Sequence, residues 1–238
     1  MKLVLLPGMD GTGILFKQLL ANIQGMDVLV LSLPMEGSQD YQSLAENILQ
    51  RLPNQDFILV AESFSGGIAA ILSQRKIPYL KGVIFVASFL SGPRKMGAYL
   101  ASFLPLRFLA HLPFSNIVYR IFFLGKDAGL KEIELFKQAI DEVPTCTLKS
   151  RLKVIAQAKY DGFTSNVPAV YIGAAQDMLV PSEKRFEFVT AYKDITLSEL
   201  DGPHFILQAN HKESAAALIN SINLLSSKNP ETVDAPRR

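Results

Sequence analysis

Short unbroken apolar runs alternate along this chain with stretches in which apolar residues recur every three to four positions. Residues 2–6, 28–33, 57–61, 82–87, 169–172 and 195–200 are of the first kind. Each is bounded by Pro, Gly or polar residues, the pattern of strands buried on both faces. Residues 15–23, 41–52, 64–74, 182–192 and 212–225 are of the second kind and read as helices with one apolar face. Strand and helix alternate, which predicts an α/β fold: a mostly parallel six-stranded sheet with helices on both faces. The alternation stops between residues 91 and 160. That stretch has helical spacing, is rich in Phe and Leu, and is punctuated by Pro93, Pro105, Pro113 and Pro144. It reads as several short helices inserted between strands.

Ligands of such sheets sit at the carboxyl ends of the strands. Four loops at those ends carry chemistry. The loop at 7–13 (PGMDGTG) follows the first strand, and Ser63 follows the third. Asp177 follows the fifth strand, and His204 the sixth. The run FILVAESFSGG predicts a strand, a tight turn with Ser63 at its apex, and a helix: the layout of a nucleophile elbow. Small residues, Ala61 and Ser65, stand two before and two after the serine, where the usual G-x-S-x-G has glycines. The helix start aims free N–H groups at the apex. The order Ser63, Asp177, His204 is that of serine hydrolases on this kind of sheet. A serine hydroxyl needs a base to take its proton, and the base needs a carboxylate to fix its tautomer. The tetrahedral intermediate needs preorganised N–H donors, for which Phe64 and Met9 are the candidates.

The competing residues have plainer readings. Asp201 lies three residues before His204 and reads as a turn former with Gly202 and Pro203. Asp10 and Asp161 lie in glycine-containing loops and read as turn residues. His111 falls in the insertion and His211 before a helix, so both read as surface or packing histidines. Cys146 follows no strand and reads as structural. A single cysteine excludes a disulfide framework, and three histidines without ligand spacing predict no metal and no cofactor. The opening residues are too short an apolar run for a signal peptide, and no uncharged run of 18 apolar residues occurs. A cytoplasmic protein is expected.

Charge is unevenly spread. The chain carries a net +2, but from Arg94 to Lys159 eleven basic residues face five acidic ones, and the remainder holds thirteen basic and seventeen acidic. Arg94, Lys95, Arg107, Arg120, Lys149, Arg151 and Lys153 make the insertion a candidate surface for an acidic partner or anionic lipid. The same lysines also fit the solvated faces of amphipathic helices. Nothing basic and aromatic tracks a groove on the core, so nucleic acid is not expected.

The pieces LVLLPGMDGTG, VAESFSGG, YIGAAQDMLVP and DGPHFILQ resemble the α/β-hydrolase superfamily over nearly the whole chain. PGMDGTG stands where many members have a His-Gly oxyanion loop, and is also similar to the hydrolase/acyltransferase domain of plant phytyl ester synthases. The resemblance implies Ser63 as nucleophile, Asp177 as acid and His204 as base. It also implies strand order 2-1-3-4-5-6, with the family's first two antiparallel strands missing. The division expected is a core at 1–90 and 161–226, a helical lid at 91–160 and a flexible tail at 227–238. In size and layout the chain resembles small bacterial carboxylesterases that demethylate pimeloyl-acyl-carrier-protein methyl ester in biotin synthesis. That implies an acyl ester substrate and acyl carrier protein as partner. A lipase, a lysophospholipase, an acyltransferase and a non-catalytic binding protein remain alternatives.

Overall fold

The computed structural model describes residues 1–93, 112 and 114–228. Arg94, Lys95, Arg107 and His111, and the tail from residue 229 onward, lie outside the described residues.

Six strands form one sheet in the order β2-β1-β3-β4-β5-β6, every neighbouring pair parallel. They are β1 (Lys2–Leu6), β2 (Val28–Val30), β3 (Phe57–Glu62), β4 (Leu80–Val86), β5 (Ala169–Ala174) and β6 (Ile195–Leu200). Because side chains alternate across a strand, each central strand supplies two cores. Val4, Leu6, Leu59 and Ala61 face one side, with Ile48, Ile68 and Phe188. Leu3, Leu5, Ile58 and Val60 face the other, with Leu19, Leu218 and Leu225. β3 is buried at every residue. This is why its sequence reads as a continuous apolar run rather than an alternating one.

The helices over these faces are α1 (Lys17–Asn22), α2 (Tyr41–Leu49), α3 (Ser65–Ser73), α7 (Arg185–Ala191), the short α8 (Ile206–Ala209) and α9 (His211–Lys228). α2 begins at an Asp40 side chain that accepts the Ser43 N–H at 2.8 Å, which satisfies one of the free donors of the first turn. The second strand is shorter than the sequence predicts. Leu31 still donates to Leu5 O, but Leu33 donates to Gly11 O, so the chain leaves β1 for the loop beyond it.

Between β4 and β5 the chain forms α4 (Ser115–Tyr119), which runs into a π turn at Arg120–Leu124, then α5 (Leu130–Asp141) and α6 (Thr145–Gln157). Tyr119, Leu124, Ile133, Phe136 and Ala139 make a third, smaller core. It packs on Phe205 and on the 3-10 turn Ile14–Phe16. The insertion is therefore seated directly on the strand ends. No helix among the described residues is long and apolar enough to cross a membrane.

Candidate active site

The turn from β3 into α3 puts Ser63 at φ 48°, a left-handed conformation that costs a non-glycine residue about 1–3 kcal/mol. Its surroundings hold it there. Ser63 N–H donates to Val86 O at 2.9 Å, and Gly66 N–H donates to Ser63 O at 3.0 Å. Close approach of strand and helix is met at Gly66, not at the position after Phe64. A Cβ on Gly66 would stand 2.7 Å from Ser88 Cβ. Ser65, fully buried, instead uses its hydroxyl to bond Pro7 O. The serine that departs from the usual glycine pattern thus ties the helix start to the loop after β1.

The structure brings Ser63, His204 and Asp177 together across 141 and 27 residues of sequence separation. Ser63 Oγ lies 2.8 Å from His204 Nε2, and His204 Nδ1 lies 2.7 Å from Asp177 Oδ2. The second oxygen, Asp177 Oδ1, accepts the N–H groups of Leu179 and Val180, each at 2.8 Å. Asp177 is thereby anchored by its own loop while it faces the imidazole. His204 is 4% exposed and Asp177's side chain 6%, so both act in a low-dielectric setting where such hydrogen bonds are strengthened. Asp201 is turned elsewhere: it accepts from Gln176 Nε2 at 2.8 Å.

The two candidate oxyanion donors are also placed. The loop at 7–13 closes on itself, with Gly11 N–H donating to Gly8 O at 3.0 Å. In a trans peptide the N–H points opposite to the C=O, so the Met9 N–H faces away from that turn. Neither the Met9 nor the Phe64 N–H has a hydrogen-bond partner among the described residues. Gly8 lies close to the nucleophile, since a Cβ built on it would be 3.8 Å from Ser63 Cβ.

Asp10 does form the turn expected of it, accepting both the N–H (2.9 Å) and the hydroxyl (2.6 Å) of Thr12 through Oδ2. It is also buried, and its Oδ1 has no hydrogen-bond partner among the described residues. Beside it lies Glu62, the residue before the nucleophile, 2% exposed, its carboxyl near Gln208 and the Gly8 N–H but without a well-formed hydrogen bond among the described residues. Burial pushes the Glu62 carboxyl up to about 7. The Asp10 charge adds to the rise, and Gln208, His204 and the Gly8 N–H oppose it. The sequence reading missed Glu62. Its signal was a lone acid closing the run FILVA, at a position the pattern treats as free.

The insertion's basic residues are not one surface. Arg151 is fully buried, which corrects its assignment to a partner-binding face. Its guanidinium donates to Met9 O, Asp10 O, Pro34 O and Gln39 Oε1 at 2.8–2.9 Å. An apolar neighbourhood at 148 and 152 draws this helical turn inward and takes the arginine with it. Arg120 is partly buried and donates to Ala128 O at 3.0 Å. Lys149 is half-buried and Lys153 exposed. Cys146 is exposed. Among the described residues no cluster of His, Cys, Asp and Glu is arranged to hold a metal ion.

Comparison with known proteins adds the fold. No family model matches the chain, and no curated protein matches. Solved structures do. A lipase-esterase related protein from Clostridium acetobutylicum superposes with a TM-score of 0.75 at 16% identity, covering 92% of this chain and 93% of the other. An esterase from Exiguobacterium antarcticum gives 0.77 at 14% identity, covering 94% and 92%. An epoxide hydrolase gives 0.73 at 11% identity, again covering 94% and 92%. The six-stranded, helix-flanked sheet is that of the α/β-hydrolase fold, and these neighbours are hydrolases with differing chemistries.

Proposed function

We propose that this protein is a serine carboxylesterase that hydrolyses an acyl ester through an acyl-Ser63 intermediate. The observation that carries the reading is the continuous hydrogen-bonded line from Ser63 Oγ through His204 to an anchored Asp177. At its head is a left-handed serine, and the Met9 and Phe64 N–H groups have no hydrogen-bond partner among the described residues.

Ser63 Oγ attacks the ester carbonyl carbon and passes its proton to His204 Nε2. Asp177 holds Nδ1–H and stabilises the imidazolium. The carbonyl oxygen becomes an oxyanion facing the Met9 and Phe64 N–H groups, donors worth roughly 2.7–4 kcal/mol each in such sites. The C–O bond to the alcohol breaks, and the alcohol leaves with the proton from His204. A water then repeats the sequence on the acyl-serine, giving the free acid and restoring Ser63. No step requires a metal or cofactor.

For the substrate, the finer reading is a methyl ester on an acyl chain carried by acyl carrier protein, of the pimeloyl type. Exposed Lys153 and half-buried Lys149 would meet the acidic carrier. A second reading, a lipid-like ester, is favoured by apolar side chains exposed on the insertion. Phe114, Ile117, Val118 and Ile121 are 46–74% exposed at helical spacing.

Hydrolysis of p-nitrophenyl esters of two to twelve carbons by wild type and Ser63→Ala tests the enzyme reading. Activity in wild type and its loss in the variant are expected. A wild type inert on every ester and unlabelled by a fluorophosphonate would leave a binding protein instead. Product analysis with added alcohol separates hydrolysis from acyl transfer. Parallel assays on acyl-carrier-protein methyl ester and on lipid vesicles decide between the two substrates.

A further inference from the structure

Arg151 is a fully buried cation without a carboxylate salt bridge among the described residues. Such a charge is costly unless its donors are all met. Here three carbonyl oxygens and one amide oxygen take four of the five N–H groups. Burial lowers its pKa to about 10, with the nearby Asp10 charge opposing the fall, so the guanidinium stays charged at neutral pH. Arginine's fork reaches several acceptors at fixed angles, which lysine cannot do. That two of the four acceptors, Met9 O and Asp10 O, belong to the loop at 7–13 needs a reason.

The connection can be followed peptide by peptide. Arg151 Nη1 donates to Asp10 O at 2.9 Å. The same peptide plane carries Gly11 N–H, which donates to Gly8 O at 3.0 Å. The Gly8–Met9 plane carries in turn the Met9 N–H, the candidate oxyanion donor. Each peptide is planar and trans, so fixing one carbonyl fixes the direction of the next N–H. Nη1 also donates to Met9 O at 2.8 Å, which holds the intervening plane. The loop is shaped to admit the guanidinium. Gly11 has φ +70°, and a Cβ there would collide with Arg151 Nη1.

We propose that Arg151, reaching in from the insertion, is a positioning residue that sets the direction of the Met9 N–H and so assembles the oxyanion hole. This rests on the reading of Ser63 as an acyl-transfer nucleophile. In this role α6 does more than cover the strand ends. Its docking completes the catalytic geometry, and an insertion that lifted would release the oxyanion donor.

A tether without catalytic consequence is the competing account, and Thr147 provides its control. Thr147 Oγ donates to Met35 O at 2.6 Å, fastening the same helix to the loop after β2 without touching the loop at 7–13. Four proteins are compared: wild type, Arg151→Met, Arg151→Lys and Thr147→Val. For each, kcat and KM on the best p-nitrophenyl ester are measured, with the inhibition constant of an alkyl boronic acid and the rate of Ser63 labelling by a fluorophosphonate. The boronate adduct on Ser63 places an oxygen where the oxyanion forms.

The expected result for Arg151→Met is a loss of roughly 10- to 100-fold in kcat, in labelling rate and in boronate affinity together, with KM within about threefold of wild type. Arg151→Lys keeps the charge but not the fork, and should fall between. It also serves if the methionine variant does not fold. Thr147→Val should keep wild-type kcat despite a lowered melting temperature. The proposal is overturned if the Arg151 variants change only KM or melting temperature, or if Thr147→Val loses kcat to the same degree. A wild type that labels but hydrolyses no ester would overturn the ester reading alone, and the labelling rates of the variants would still decide the role of Arg151. A wild type that is not labelled would overturn both.

Discussion

The insertion holds the loops after β1 and β6 by different physics. At the loop after β1 it offers a buried guanidinium that makes directional hydrogen bonds to backbone carbonyls. At the loop after β6 it offers an aromatic cluster. Phe205, next to His204, packs against Phe123 and Phe136 with ring centroids 5.8 and 5.2 Å away. One backbone bond, Phe205 N–H to Phe123 O at 3.1 Å, accompanies them. Aromatic packing fixes where a loop sits but tolerates a range of angles. Hydrogen bonds to consecutive carbonyls fix angles as well. The difference matches what each loop would deliver under the proposed function. An oxyanion donor is a backbone N–H, whose direction only the backbone can set. A histidine's ring takes its direction from Asp177, so its loop needs only to be in place.

That contrast can be broken at three points. The largest effect is expected for Asp177→Asn. If direction at His204 comes from the carboxylate, the amide leaves the ring packed but in the wrong tautomer, and kcat falls about 10⁴-fold with little change in stability. A loss under tenfold would mean that the loop itself orients the ring.

Next is Phe136→Ala, which removes a buried ring shared by Tyr119, Phe123 and Phe205. The expected cost is about 3–5 kcal/mol of stability by chemical denaturation. The folded fraction should keep kcat within about tenfold. A much larger loss of kcat would show that packing, too, sets the angle of the His204 ring.

The smallest effect belongs to Glu62, buried between the two halves of the site. In the unfolded chain a glutamate titrates at its ordinary value of 4.5, whereas burial raises it to about 7 in the fold. Between these values the folded state binds more protons than the unfolded one. Stability therefore falls as pH rises from about 4.5 to 7, by up to about 3 kcal/mol, and is flat above that window as far as this group is concerned. Glu62→Gln, which cannot ionise, should flatten the slope in urea denaturation series across that range. An unchanged slope would show that Glu62 is already ionised in the fold, with an unseen partner.

Much of the fold was legible because burial on both faces leaves a direct imprint on sequence. FILVA, GVIFVA and AVYI mark β3, β4 and β5 of the covered sheet, and β6 begins and ends where ITLSEL does. The loops carrying Ser63, Asp177 and His204 were legible too, since each follows such a run. Boundaries suffered where tertiary bonds override local pattern, as where Gly11 takes the Leu33 N–H that β1 would have used. Arg151 was misread for a related reason. A charge is assigned to the surface unless something shows otherwise, and its acceptors are backbone carbonyls at Met9, Asp10 and Pro34, which no side-chain pattern reveals.

By itself, then, the sequence determined the succession of strands and helices and the order of the three candidate side chains, because hydrophobic periodicity and turn chemistry are local properties. Only the tertiary structure decided which polar groups would be buried together. It put Glu62 against Asp10, Ser65 on Pro7, and a cation from the insertion on the loop at 7–13. Those pairings depend on the packing of segments from about fifty to 142 residues apart. The energy of a buried charge is set by whichever backbone dipoles the fold brings to it.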